Sequence, residues 1–111
     1  MTRIEFTEKI CKLLLDMISA GDAPQLDEVK RGMEQQKIYF DKGWSKCDGV
    51  KILSDHQKGT AADIDFPTIT NPVDNEKAYL HWHDVWQRVY GGRAPFKDKH
   101  GNWWDLRHFE A

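Results

Sequence analysis

The sequence has no long hydrophobic run. No segment approaches the roughly 20 apolar residues that a membrane-spanning helix needs, and acidic residues flank the apolar stretch Leu13-Leu14-Leu15 near the N-terminus. The same region lacks the unbroken apolar segment and small-residue cleavage site of a secretory leader. The expectation is a protein made in the cytoplasm, with no signal peptide and no membrane insertion. Cysteine is scarce as well. Cys11 falls in a helical pattern and Cys47 in a loop, with no CxxC spacing, which predicts two free thiols of a reducing compartment rather than a disulfide framework. A basic excess is also missing: the net charge of −2 argues against a surface built to grip nucleic acid. There is no internal repeat, low-complexity tract or linker.

Large aromatics are plentiful instead. Five tryptophans in 111 residues exceed what so short a chain needs for its core, and one or two are candidates for a binding groove. The length suits one domain spanning 1–111 with a genuine core, and no separate binding domain is expected. Nothing in the sequence demands more than a monomer.

Phe6, Ile10, Leu13, Leu14, Met17 and Ile18 recur at three- and four-residue spacing, predicting an amphipathic helix over 4–20 that Gly21 stops. Residues 26–31 fit either a short strand or the start of a helix. Residues 33–40 read as a helix ending near Gly43, and 45–53 as a loop. Ala61 to Phe66 alternates small or apolar residues with Asp, the pattern of a half-buried strand. Asn71-Pro72 marks a turn within a loop over 68–74. Tyr79, Leu80, Trp82, His83, Trp86 and Val89 outline a second long helix over 76–90, closed by Gly91-Gly92. Residues 93–102 read as a polar turn region, and WWDLRHFEA as a terminal strand. This order predicts an α+β domain with a small antiparallel sheet packed against helices.

Two stretches carry metal chemistry. In SDHQKGTAAD, His56 and Asp63 stand seven residues apart, too far for one helical face, so they would come from a loop and the strand after it. Gly59 and the small residues beside it suit that close return. In WDLRHFEA, Asp105 and His108 have i, i+3 spacing, which brings them to one side of a helical turn or a tight bend. Two imidazoles and one carboxylate, His56, His108 and Asp63, make a zinc donor set with the fourth position left for water. Asp105 is then placed to take that water's proton. Taken singly, each pair is as well explained by surface carboxylates and a half-buried histidine. His81 and His83, two apart on a helix, point in different directions and cannot share an ion, so one belongs to the core and one to the surface. His100 belongs to a solvated turn. The Trp103-Trp104 pair reads as core plus rim, or as one wall of a peptide groove.

Together the two stretches carry a resemblance. Ser54, His56, Gly59, Ala61 and Asp63 fill every fixed position of the pattern SxHxxGxAxD, and Asp105 and His108 fill a closing (E/D)xxH element with an HFE ending. The chain thus resembles the zinc D-Ala-D-Ala carboxypeptidases, and more narrowly the phage L-alanyl-D-glutamate endopeptidases, or endolysins. The likeness extends to the opening helix, the VKRGMEQQ segment with Arg31, and the Gly91-Gly92 pair. It implies a fold of the Hedgehog/DD-peptidase type and Zn2+ held by His56, Asp63 and His108. Asp105 would be the general base, where many members have Glu. Arg31 would bind substrate or stabilise the oxyanion, and Ser54 would bond the substrate or shape its loop. The implied activity is hydrolysis of an amide bond in the peptidoglycan stem peptide during phage lysis. The enzyme would wait in the host cytoplasm until a holin releases it to the wall.

Three other readings compete. A D-Ala-D-Ala carboxypeptidase or dipeptidase would use the same centre. A non-catalytic zinc module binding the wall would lack a base, and Asp105 is present. A metal nuclease built on Asp55-His56, Asn71 and His81 or His83 conflicts with the mild acidity.

Overall fold

A computed structural model of the chain describes residues 1–28 and 59–111. The helix α1 spans Arg3–Ser19 and starts on a capping box. Thr2 Oγ1 accepts from Glu5 N at 3.1 Å, and Glu5 Oε1 accepts from Thr2 N at 3.2 Å. Phe6, Ile10, Leu13 and Met17 form its buried stripe. The second described helix, α2, spans Pro72–Tyr90 and buries Tyr79, Trp82, His83 and Trp86. It starts four residues earlier than its apolar pattern does. Asn71-Pro72 is not a turn within a loop but the cap itself: Asn71 Oδ1 accepts from Val73 N at 2.9 Å and Asp74 N at 3.2 Å. Pro72 follows where a missing N–H does no harm. The two helices meet where the rings of Phe6 and Trp86 pack edge to face at 5.9 Å.

Five strands complete the described chain: β1 Gln25–Glu28, β2 Ala61–Asp65, β3 Phe96–Lys97, β4 Trp103–Trp104 and β5 His108–Glu110. The stretch over 26–31 therefore opens as a strand. β2 is the centre of a three-stranded antiparallel sheet in the order β1-β2-β5. Ala62, Ile64 and Phe109 face the helices in one core with Phe6, Leu13, Met17, Tyr79 and Trp86. Tyr79 Oη donates to Ile64 O at 2.8 Å, tying α2 to the central strand. The other face, by the two-residue alternation of a strand, presents Ala61, Asp63, His108 and Glu110.

The region over 93–102 is more ordered than its polarity suggests. β3 and β4 pair as a hairpin, Phe96 opposite Trp104 and Lys97 opposite Trp103. Asp98 Oδ1 closes its turn by accepting from His100 N and Asn102 N. Trp103 and Trp104 are both half-exposed, so neither belongs to the core. The terminal segment is thus two strands with a bend between them. Neither described helix is long and apolar enough to cross a membrane. Cys11 is an exposed free thiol; Cys47, the helix expected over 33–40 and the loop over 45–53 lie outside the described residues.

α2 ends at Gly91, whose φ of +74° is the left-handed turn of a helix C-terminus, and Gly92 N returns to Trp86 O at 3.0 Å. Gly92 has no room for a side chain: a Cβ would lie 1.9 Å from Trp86 Nε1. That nitrogen donates to Glu110 O at 2.8 Å, so the glycine, the indole and β5 are locked together. Gly92→Ala should therefore lower unfolding stability by about 3 kcal/mol, the upper range for overpacking. The readout is a drop in urea midpoint at unchanged m-value; an unchanged midpoint would show that the indole moves aside freely.

Candidate metal centre

Antiparallel pairing sets Asp63 of β2 directly opposite His108 of β5. Directly opposed side chains on one face are close neighbours, and His108 Nδ1 lies 3.6 Å from Asp63 Oδ1. Gly59, at φ +72° in the left-handed region, precedes β2 and turns the chain into it, as the small residues around it predict. Both side chains are nearly buried, at 11% exposure for His108 and 12% for Asp63. Their neighbour Asp105 is exposed. Donor atoms of Asp63, Asp105 and His108 all lie within 4.8 Å of one another, a grouping that could hold a metal ion.

Asp105 reaches this cluster through an unusual backbone. Its φ of +53° makes it the one described non-glycine residue in the left-handed region. His108 N then donates to Asp105 O at 3.1 Å, closing the bend that carries the chain from β4 into β5. The i, i+3 spacing thus works across a tight bend and not a helical turn. Positive φ at a non-glycine residue costs energy, and such residues collect at functional sites. Arg107, inside the bend, holds it to the sheet. Its Nε donates to Asp65 Oδ1 at 2.5 Å and its Nη2 to Asp65 Oδ2 at 3.3 Å, while Nη2 also pairs with Asp27 on β1.

No family model matches the sequence, and no curated protein does. Solved structures do. The LD-carboxypeptidase LdcB, whose structure reveals how it recognises peptidoglycan, superposes with a TM-score of 0.70 at 22% identity, over 96% of this chain and 63% of that one. The vancomycin-resistance D,D-pentapeptidase VanY of a VanB-type cassette, solved with Zn(II), gives a TM-score of 0.66 at 20% identity, over 96% of this chain and 70% of that one. The fold is the VanY/LdcB-like peptidase fold. At these identities the likeness establishes architecture, and the chain spans 63% of the length of LdcB.

Within this fold Asp63, Asp105 and His108 lie together, a grouping that the two stretches imply jointly and that neither spacing carries alone. His56, Arg31 and Ser54 lie outside the described residues. Tetrahedral zinc with bonds near 2.0–2.1 Å sets its donor atoms about 3.3 Å apart. The 3.6 Å between His108 Nδ1 and Asp63 Oδ1 suits such an ion with a small inward shift. The β3–β4 hairpin borders the cluster, the Phe96 ring centroid lying 5.6 Å from that of His108 and 5.9 Å from that of Trp104. Lys97 Nζ sits 4.4 Å over the Trp103 ring. Two residues near the cluster escaped sequence reasoning. Glu110 approaches His108 Nε2 at 3.2 Å, and the alternation of a terminal strand would have placed it on that face. His83 supports the bend from behind, for which the HWH spacing on α2 offers no signal beyond burial.

Electrostatics set the two histidines apart. Burial pulls the His108 imidazolium down, but Asp63, Glu110 and Asp105 outweigh it and raise the pKa to about 9. A metal at Nδ1 would have to displace that proton. His83 is 1% exposed, stacks on Phe109 at 4.0 Å, and faces Leu106 O from Nε2 at 2.7 Å. A carbonyl only accepts, so Nε2 carries the hydrogen. Nδ1 is then a buried acceptor with no hydrogen-bond partner among the described residues. His81 is exposed, so the expected division into one core and one surface histidine holds. Burial lowers the His83 pKa to about 4, with the His108 charge adding to the effect and the Leu106 bond opposing it.

The sign follows from linkage. As pH falls below 6.5 the unfolded chain takes up a proton at this position that the folded chain refuses until about pH 4. Stability from the neutral ring is complete above pH 6.5 and is lost as pH falls toward 4, amounting to about 3 kcal/mol over the window. Urea unfolding at pH 7 and pH 4.5 should show a larger loss in the wild type than in His83→Phe, which keeps the stacking on Phe109. Equal losses would mean that His83 does not resist protonation.

Proposed function

We propose that the chain is a zinc-dependent peptidase acting on an amide bond of the peptidoglycan stem peptide. The observation that carries this reading is the cross-strand pair Asp63–His108 with the Asp105 carboxylate beside it. The architecture shared with LdcB and VanY supports it. Asp63 and His108 would hold the ion together with His56, as the pattern SxHxxGxAxD implies. Bound zinc would supply a Lewis acid that polarises the scissile carbonyl and acidifies water.

The chain's own residues would do the rest. Exposed Asp105, at the mouth of the cluster, accepts the proton of the attacking water and delivers it to the leaving amine. Buried Asp63 and His108 stay fixed by the sheet while the proton moves, so the donors need no rearrangement during turnover. Arg31 would bind the substrate or stabilise the oxyanion. The half-exposed rings of Phe96 and Trp104 supply an apolar flank for the peptide.

Two bonds compete as the target. The HFE ending and the Asp base support an L-Ala–D-Glu endopeptidase of phage lysis type, released to the wall by a holin. The likeness to an LD-carboxypeptidase and a D,D-pentapeptidase supports removal of a terminal D-amino acid. Muropeptide digestion separates them, by new L-Ala and D-Glu ends in the first case and free D-Ala in the second. Purified wild type should carry zinc and cleave. Asp105→Asn, which tolerates the same backbone, should keep zinc and lose turnover by roughly 100- to 10,000-fold, whereas His108→Ala should lose the metal. A zinc-loaded wild type that leaves every muropeptide intact would refute the peptidase reading.

A further inference from the structure

We propose that Glu110 is a positioning residue, the outer carboxylate that orients the His108 ring toward the metal; this rests on the zinc site proposed above. His108 and Glu110 stand two apart on β5 and share its outward face. The ring is held at both nitrogens: Nδ1 faces Asp63 Oδ1 at 3.6 Å, and Nε2 meets Glu110 Oε2 at 3.2 Å. A carboxylate only accepts, so this contact places a hydrogen on Nε2. When a cation takes the place of the second proton, the lone pair is left on Nδ1, the nitrogen that faces Asp63. A histidine that donates its far N–H to a carboxylate is both oriented and made a better donor.

The surroundings of Glu110 suit that task. Opposite it on β2 stands Ala61, fully buried and small, which leaves room for the carboxylate beside the imidazole. The Glu110 backbone is anchored by its carbonyl, which accepts from Trp86 Nε1 at 2.8 Å and Arg93 N at 3.0 Å. The side chain therefore swings from a fixed root. It is 8% exposed, and a buried carboxylate is costly unless an opposite charge or strong donor meets it. Arg93 Nη1, 3.8 Å from Oε1, is itself 69% exposed and screened by water. The His108 ring meets the carboxylate at 3.2 Å, and an ion on the far side of the ring would add positive charge along the same line.

The test is zinc affinity by chelator competition for wild type, Glu110→Gln and Glu110→Ala, with His108 ring nitrogen shifts recorded by NMR in each zinc-loaded protein. Glu110→Ala should weaken zinc roughly 10- to 100-fold and allow a mixture of ring tautomers. Glu110→Gln, whose amide oxygen still accepts from Nε2, should lose only several-fold and keep the tautomer. Wild-type affinity and a single tautomer in both variants would overturn the assignment. Should Glu110→Ala fail to fold, undiminished affinity in Glu110→Gln would overturn it alone. A wild type that binds no zinc would fell the metal reading and this inference together, whereas a wild type that binds zinc no better than its variants would fell only the inference.

Discussion

The register between β2 and β5 is the constraint on which the rest depends. In that register Asp63 meets His108 and Ala61 meets Glu110 on one face, while Ala62 meets Phe109 on the other. Side chains alternate with period two, so a slip of one residue would turn Phe109 onto the polar face and Asp63 or His108 into the apolar core. The hydrophobic face therefore enforces the polar one. Burying Phe109 against α1 and α2 contributes the apolar free energy, and the same act aims His108 at Asp63.

Among the described strands β5 lies at the edge of its sheet, beside β2, a position that opens more readily than the centre. Here several bonds oppose fraying. Ala111 N donates to Thr60 O at 2.9 Å, Ile64 N to Arg107 O at 2.9 Å, and the Trp86 indole takes Glu110 O from the outer side. His83 anchors Leu106, the residue between Asp105 and the arginine clamp, from beneath. The helix thus fastens the chain on either side of His108, through Leu106 and through Glu110. The cluster thus joins an exposed carboxylate, a nearly buried Asp–His pair and a rigid support, the division of labour that the proposed reaction would need.

Much of this was readable from residue spacing. The buried stripe Phe6, Ile10, Leu13, Met17 and the stripe Tyr79, Trp82, Trp86 follow helical periodicity, and AADID follows strand alternation. These are repeated signals over many residues. Asn71-Pro72 serves equally as a turn signal and as a helix cap, so the sequence pattern leaves the start of α2 open and the capping bonds of Asn71 decide it. The β3–β4 hairpin was missed because two-residue strands carry no periodicity, and its polar turn hides the Phe96–Trp104 pairing. The Asp63–His108 contact spans 45 residues of sequence, and only the likeness of two separated motifs linked its halves. Glu110 and His83 act through neighbours rather than through a motif, so no local pattern announced them.

The left-handed backbone at Asp105 ties the shape of the bend to its chemistry. Glycine, asparagine and aspartate are the residue types that sit at such φ values with least strain. Of these, only aspartate has a carboxyl group. A glutamate would keep the carboxyl group but bring a longer side chain to a backbone that does not favour it. The bend and the carboxylate must therefore change together: any redesign that lengthens the acid must first relax the turn, and any redesign that relaxes the turn moves His108.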